Sequence, residues 1–336
     1  MRRCGRWIGT GIPDKLYTIK KGGTARRGAD ARQSLGGRSP VKITPLHPLF
    51  AAEATGIDIS VDLTPDQIAE IREAMDTYAV LAFREQTIDD ARQRRFSEYF
   101  GPLETSRKLH RKGYVPRLDT KMSDISNLDE TGRPLAKDDF RLLNMYANRL
   151  WHTDSSFKRI PARYSVLAAH VLPRGGGGNT EFADMRAAYD DLDGATKARI
   201  ENYVCIHSIM NSRERLGYTD FDEGERTGLS PVRQVLVRTH PGSQRKSLYL
   251  ASHAGSIEGL PVPEGRMTLI DLTEHATQPK YVYSHAWRPG DVVMWDNRCT
   301  MHRGRWHDPG DIRDMRRTTV SDEIPTVSED APRRAG

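Results

Sequence analysis

The chain has little cysteine. Its 336 residues include only Cys4, Cys205 and Cys299. So sparse and odd a set excludes a disulfide framework and points to a reducing compartment. Long hydrophobic runs are also missing: none reaches the roughly 20 residues needed to cross a bilayer. No apolar signal-peptide core opens the chain, so the expected location is cytoplasmic. No internal repeat is visible. The glycine run Gly175 to Gly178 is not followed by the Lys-Ser/Thr of a phosphate loop, and reads as a flexible turn. Cys299 stands three residues before His302, but no second Cys/His pair completes a zinc site. Apolar residues make up 37% of the chain, low-normal for its length but enough for a substantial core.

A uniform charge is missing too. The formal net charge is +6, yet residues 1–40 carry ten Lys/Arg against two Asp, a net of +8. The remainder holds 41 basic against 43 acidic residues, a net of −2. The basic character therefore belongs to a Gly-, Arg- and Ser-rich tail with little apolar periodicity, expected to be disordered. A nucleic-acid or membrane-surface arm and a start codon placed too far upstream are both compatible with it, and the second is the favoured reading. The expected organisation is an extension over 1–40, one domain over 41–325 and a flexible tail over 326–336. Neither nucleic acid nor membrane is an expected partner.

What is present is a ligand set. His152-Thr153-Asp154 is followed 150 residues later by His302, then by Arg313 and Arg317. Two imidazoles and one carboxylate suit a non-haem Fe(II) facial triad, which leaves coordination positions open. On a strand, side chains alternate faces, so His152 and Asp154 would point the same way. Taken alone, H-x-D more often marks a surface pair or a satisfied core group than a metal site. Context changes the balance. Residues 291–297 read as a buried strand after a Pro-Gly turn, with His302 just beyond it. Residues 313–321 look like a last strand, on which Arg313 and Arg317 share a face about 13 Å apart. Such guanidiniums can each take a carboxylate bidentately; a solvated basic strand is the equally weighted alternative.

The rest of the pattern is β-rich. Residues 65–78 read as an amphipathic helix capped by Thr64, with Gln67 three residues on. Residues 89–100 read as a second helix, with further helices near 184–192 and 264–276. Strands are expected at 79–83, 163–172, 232–239, 247–251, 281–287 and 291–295. Many strands with inserted helices imply a mainly β fold with flanking helices, a double-stranded β-helix or jelly roll. The stretch from 103 to about 145 is polar and mixed, with a basic cluster at Lys108, His110, Arg111 and Lys112 that reads first as a solvated loop.

Several segments carry a resemblance: Leu46-His47-Pro48-Leu49-Phe50, Leu150-Trp151-His152-Thr153-Asp154, Asn179-Thr180-Glu181-Phe182-Ala183-Asp184, and Val293-Met294-Trp295-Asp296-Asn297-Arg298-Cys299. Through these, from about residue 46 to 322, the chain resembles the taurine dioxygenase/TfdA family of Fe(II)/2-oxoglutarate-dependent dioxygenases. The resemblance implies that His152, Asp154 and His302 bind iron. It implies that Thr180 and Arg317 hold 2-oxoglutarate and that Arg313 anchors an acidic substrate. His253 resembles a histidine near the substrate, with a scaffold role equally open. It also implies O2 as co-substrate, ascorbate as an aid to sustained activity, and a homo-oligomer. The likeness is greatest to members acting on aryloxyacetates such as 2,4-D, where hydroxylation next to the carboxylate releases a phenol and glyoxylate. Another carboxylate or sulfonate (an aromatic acid, a 2-aryloxypropionate, taurine) is the alternative, and a non-catalytic jelly-roll metal binder the third reading.

Overall fold

The computed structural model describes residues 40–105, 115–219, 221 and 230–332. Most of the N-terminal extension, the basic cluster at 108–112 and the last four residues lie outside them.

The chain enters through β1 (Lys42–Pro45) and β2 (Ala52–Thr55), then α1 (Pro65–Tyr78), β3 (Val80–Phe83), α2 (Asp90–Glu98) and the short β4 (Ser123–Asp124). After α3 (Phe140–Tyr146) come β5 (Ala162–Val171), β6 (Thr180–Asp184), α4 (Met185–Asp190), α5 (Gly194–Ile200), β7 (Val204–His207) and α6 (Ile209–Glu214). The strands β8 (Val232–Val235), β9 (Val237–Thr239), β10 (Lys246–Leu248) and β11 (Ala254–Ile257) precede α7 (Val262–Ala276). Last come β12 (Val282–His285), β13 (Val292–Asp296), β14 (Thr300–Gly304) and β15 (Asp314–Ser321).

α1 forms where the sequence places it. Thr64 accepts the Gln67 N–H, and the Gln67 side chain accepts the Thr64 N–H, a reciprocal capping box. Its apolar stripe, Ile71 and Met75, packs with Phe96 of α2 on one face of a seven-stranded sheet ordered β1-β2-β3-β13-β5-β15-β4. That face is built from Phe83, Val166, Ala168, Val292, Met294 and Val320. The alternate residues point the other way. Leu167, Ala169, Val293, Trp295 and Met315 form a second cluster with Phe182 of β6. Period-two alternation thus gives this sheet two apolar faces, as a buried central sheet requires.

Phe182 belongs to a smaller sheet, β12-β6-β14, packed across that second face. The far side of β6 and β14, at Ala183 and Met301, is covered by α4 and α7 through Tyr189, Leu269, Leu272 and Ala276. The space between the two sheets is where inward side chains of β5, β6, β13, β14 and β15 meet.

Candidate active site

The H-x-D segment is not the stiff strand that alternation suggests. His152 makes a single β-bridge to His302, with backbone bonds of 3.0 and 2.8 Å in the two directions. Asp154 already opens a turn, whose next residue, Ser155, has a left-handed φ of 51°. Asp154 is aimed by hydrogen bonds instead. Its amide donates to Asn297 Oδ1 at 3.1 Å, and its Oδ2 accepts from Ser165 at 2.7 Å. Asn297 also accepts from the Trp295 indole and donates to Ser165, at 3.1 and 3.0 Å. Two distant segments, at Ser165 and at Trp295 to Asn297, therefore fix this residue. His302 follows β13 as expected and lies within the next strand, β14, paired in register with Phe182 and against the Trp295 ring at 4.7 Å.

The three groups converge. One ligand atom from each of His152, Asp154 and His302 lies within 4.8 Å of the others, and all three residues are buried. His152 Nε2 is 3.8 Å from Asp154 Oδ1, and His302 Nε2 is 3.6 Å from Asp154 Oδ2. These separations are too long for hydrogen bonds and suit atoms that share an ion. His152 Nδ1 faces the Leu150 carbonyl at 2.8 Å, so that nitrogen carries the proton and Nε2 keeps its lone pair, the tautomer a metal needs. Burial opposes charging either imidazole and holds both below the ordinary histidine range. Burial would also raise Asp154, but Arg317, then His302 and His152, override it and keep the carboxylate ionised. Two neutral imidazoles and one carboxylate could hold a divalent first-row ion.

Arg317 ion-pairs directly with Asp154 Oδ1. Arg313 lies elsewhere, one residue before β15. It donates to the Ile125 carbonyl at 2.9 Å, and its Nε approaches the position of a Gly178 Cβ at 3.5 Å. Burial pushes the Arg313 guanidinium down to about 10, still charged at neutral pH. The Nε of each arginine is buried without a protein partner among the described residues. Unpaired guanidinium donors inside a site fit an anionic ligand. Thr180 is buried at the head of β6 and accepts the Trp287 indole N–H at 3.0 Å. His253 is buried behind His152, its Nδ1 on Ser156 Oγ at 2.9 Å and its ring edge-on to Phe157.

The glycine run is not a loose turn. Gly177 bridges to His307, with φ +79°, and a Cβ there would stand 2.7 Å from the Trp306 carbonyl oxygen. A second cluster, His240, Asp296 and Cys299, also brings ligand atoms together. There the Arg298 guanidinium, 2.6 Å from Asp296, already supplies the cation. Ser165, Asn297 and Trp287 are the site residues that sequence reasoning missed. Asn297 sits inside one of the resembling segments, which is the signal that could have drawn attention to it.

The profile "Taurine catabolism dioxygenase TauD, TfdA family" matches residues 42–319. The chain belongs to the TauD/TfdA family. It is 45% identical over 288 residues to the alpha-ketoglutarate-dependent 2,4-dichlorophenoxyacetate dioxygenase of Cupriavidus pinatubonensis, covering 84% of this chain and 98% of that one. It is 37% identical over 270 residues to the (S)-phenoxypropionate/alpha-ketoglutarate dioxygenase of Sphingobium herbicidovorans, covering 78% and 88%. The solved structure of AAD-2 with Mn(II) and N-oxalylglycine superposes with a TM-score of 0.80 at 49% identity, over 87% of this chain and all of that one. The two packed sheets are the family's jelly roll, as the sequence implies, and the protein is a dioxygenase, an oxidoreductase. No helix among the described residues is long and apolar enough to cross a membrane.

Proposed function

We propose that the protein is an Fe(II)- and 2-oxoglutarate-dependent dioxygenase that hydroxylates the carbon beside the carboxylate of aryloxyacetates, with 2,4-D as the type substrate. The observation that carries this reading is the buried His152, Asp154 and His302 cluster, with Arg317 paired to Asp154 and Arg313 four residues away, each arginine with an unpartnered Nε. The 45% identity to a 2,4-D dioxygenase supports the substrate class. Likeness to a phenoxypropionate enzyme supports 2-aryloxypropionates as the second class to test.

Iron with 2-oxoglutarate and O2 supplies the oxidising power, and the overall balance is substrate, 2-oxoglutarate and O2 to hydroxylated substrate, succinate and CO2. The chain's own work is positioning. His152 and His302 present neutral nitrogens. Ser165 and Asn297 hold the Asp154 carboxylate and its backbone in one orientation. Arginine anchors set where each carboxylate lies, and hence which C–H bond faces the metal. The hydroxylated carbon carries an ether oxygen, so the product is a hemiacetal that collapses to a phenol and glyoxylate. Ascorbate helps by keeping iron reduced.

The ladder favours exchanging the two arginine roles given by the sequence. Arg317 pairs with Leu167, next to the inward-facing pair of Thr319 and Ser165, whose serine bonds Asp154. Arg313 lies four residues further along, beside Gly178, two residues before Thr180. Thr180 is itself one inward-facing position beyond Phe182, the register partner of His302. A dicarboxylate held at the metal by one end has its other end several bonds away. Arg313 with Thr180 therefore suits the distal carboxylate of 2-oxoglutarate, and Arg317 the substrate carboxylate.

Titration calorimetry on Mn(II)-loaded protein tests this. Arg313→Ala is expected to weaken 2-oxoglutarate at least tenfold and 2,4-D by less than threefold, with the reverse for Arg317→Ala. The opposite pattern restores Arg317 to 2-oxoglutarate. Failure of the unaltered protein to bind any 2-oxo acid favours a non-catalytic metal binder.

A further inference from the structure

Thr180 is buried on β6, and its surroundings constrain its proton. A threonine hydroxyl has one proton to donate and two lone pairs. The Trp287 indole N–H, which can only donate, occupies a lone pair at 3.0 Å. Among the described residues nothing accepts the Thr180 proton in return. That proton is left for a group outside the protein, and the indole, by taking one of the two lone pairs, turns the O–H bond away from itself and frees it to donate.

The indole is itself held in place. Trp287 packs edge-on against His285, with ring centroids 4.6 Å apart at 76°. His285 is the register partner of Thr180 across β12 and β6. Its Nε2 lies 3.0 Å from Asp291 Oδ2, so that nitrogen carries the proton, and Nδ1 accepts from the Tyr283 hydroxyl at 3.1 Å. Asp291 is anchored by the Arg84 guanidinium and by the Arg288 amide at 2.8 Å. An ion pair between the end of β3 and the start of β13 thus sets an imidazole. The imidazole sets an indole, and the indole sets the direction of one O–H bond.

We propose that Trp287 is a positioning residue for co-substrate selectivity. By occupying one of the two lone pairs of Thr180, it orients that hydroxyl to donate to the distal carboxylate of the 2-oxo acid. It thereby favours dicarboxylates over 2-oxo acids that lack the second carboxylate. This inference rests on the proposed role of Thr180 at 2-oxoglutarate. Hydrogen bonds to charged groups are about twice as strong as neutral ones, so orienting the donor acts on the dicarboxylate alone.

The test is calorimetric binding of two probes, 2-oxoglutarate and 2-oxovalerate, to Zn(II)-loaded protein. The probes share the metal-binding head and differ at the distal end. Trp287→Phe keeps the ring against His285 and removes the N–H. It is expected to weaken 2-oxoglutarate about fivefold and 2-oxovalerate by less than twofold, lowering the ratio of the two affinities. Thr180→Val is expected to lower the same ratio about tenfold. A ratio lowered by Thr180→Val but untouched by Trp287→Phe would overturn the inference and leave the Thr180 reading standing. A ratio untouched by both would overturn both. Because each ratio is taken within one variant, partial misfolding cancels from it. A measurement without substitution guards against failure to fold. Among the indole N–H resonances of the 15N-labelled Zn(II) protein, one is expected to shift with 2-oxoglutarate and not with 2-oxovalerate. Identical responses to both probes count against the proposal.

Discussion

Asp154 illustrates how much of a ligand set lies outside the ligands. Its carboxylate takes the Ser165 hydroxyl at 2.7 Å, and its amide is caught by Asn297, which also ties Ser165 and Trp295. Removing Asn297 leaves the three ligands in place but loosens the turn that aims one of them. Such outer partners typically matter by 10–100-fold in metal affinity. Asn297→Ala should weaken Fe(II) or Mn(II) binding about tenfold or more in equilibrium dialysis, while Asp154→Ala and His152→Ala should abolish stoichiometric binding and turnover. Unchanged affinity in Asn297→Ala would mean that the hydrogen bonds are incidental. Full activity in Asp154→Ala would remove it from the ligand set. Arg317 shows the same economy: it keeps Asp154 ionised and faces whatever binds next to it.

Between elements, the Gly177 bridge joins the strand that carries Thr180 to the segment that leads to Arg313. Its φ of +79° and the 2.7 Å approach to the Trp306 carbonyl leave no room for a Cβ. Gly177→Ala should lower stability by about 1–3 kcal/mol in denaturant unfolding, and should weaken 2-oxoglutarate more than metal. Equal loss of both would show that the strain spreads through the site. This junction also marks where sequence reading stops. α1 was legible because a capping box and an apolar stripe are local, and both lie within 15 residues. The expected strand at 232–239 is continuous in pattern but divides at Leu236: β8 pairs with β7, and β9 with β10. Local alternation carries no record of which sheet a residue joins. β14 was missed because Thr300–Gly304 offers a single apolar residue, Met301, and its inner face carries His302 where an apolar side chain would have marked a strand. The convergence of His152, Asp154 and His302 was legible by residue type and resemblance. Which of Arg313 and Arg317 takes which carboxylate is not written in the spacing, because a face shared on one strand does not say which end meets Thr180.

For the whole molecule, burial of neutral imidazoles has a consequence for stability. Burial pushes His207 down to about 3 and moves His152, His253 and His302 in the same direction. A histidine depressed in the folded state takes up its proton first in the unfolded chain, near pH 6.5. Its contribution is therefore complete above pH 6.5 and is lost as pH falls toward the folded value, at about 1.4 kcal/mol per pH unit for each such group. The metal-free protein should show a nearly constant Tm above pH 7 and a falling Tm between pH 6.5 and 5 in scanning calorimetry. A Tm unchanged from pH 7 to 5 would contradict the burial of these rings as neutral groups.

The most direct test of the whole account is the stoichiometry of products from 2,4-D. Fe(II) is added anaerobically with 2-oxoglutarate and ascorbate, air is then admitted, and phenol and succinate are measured together. Equimolar phenol and succinate, both dependent on 2-oxoglutarate, are the predicted result. Neither product from protein shown to hold iron would contradict it.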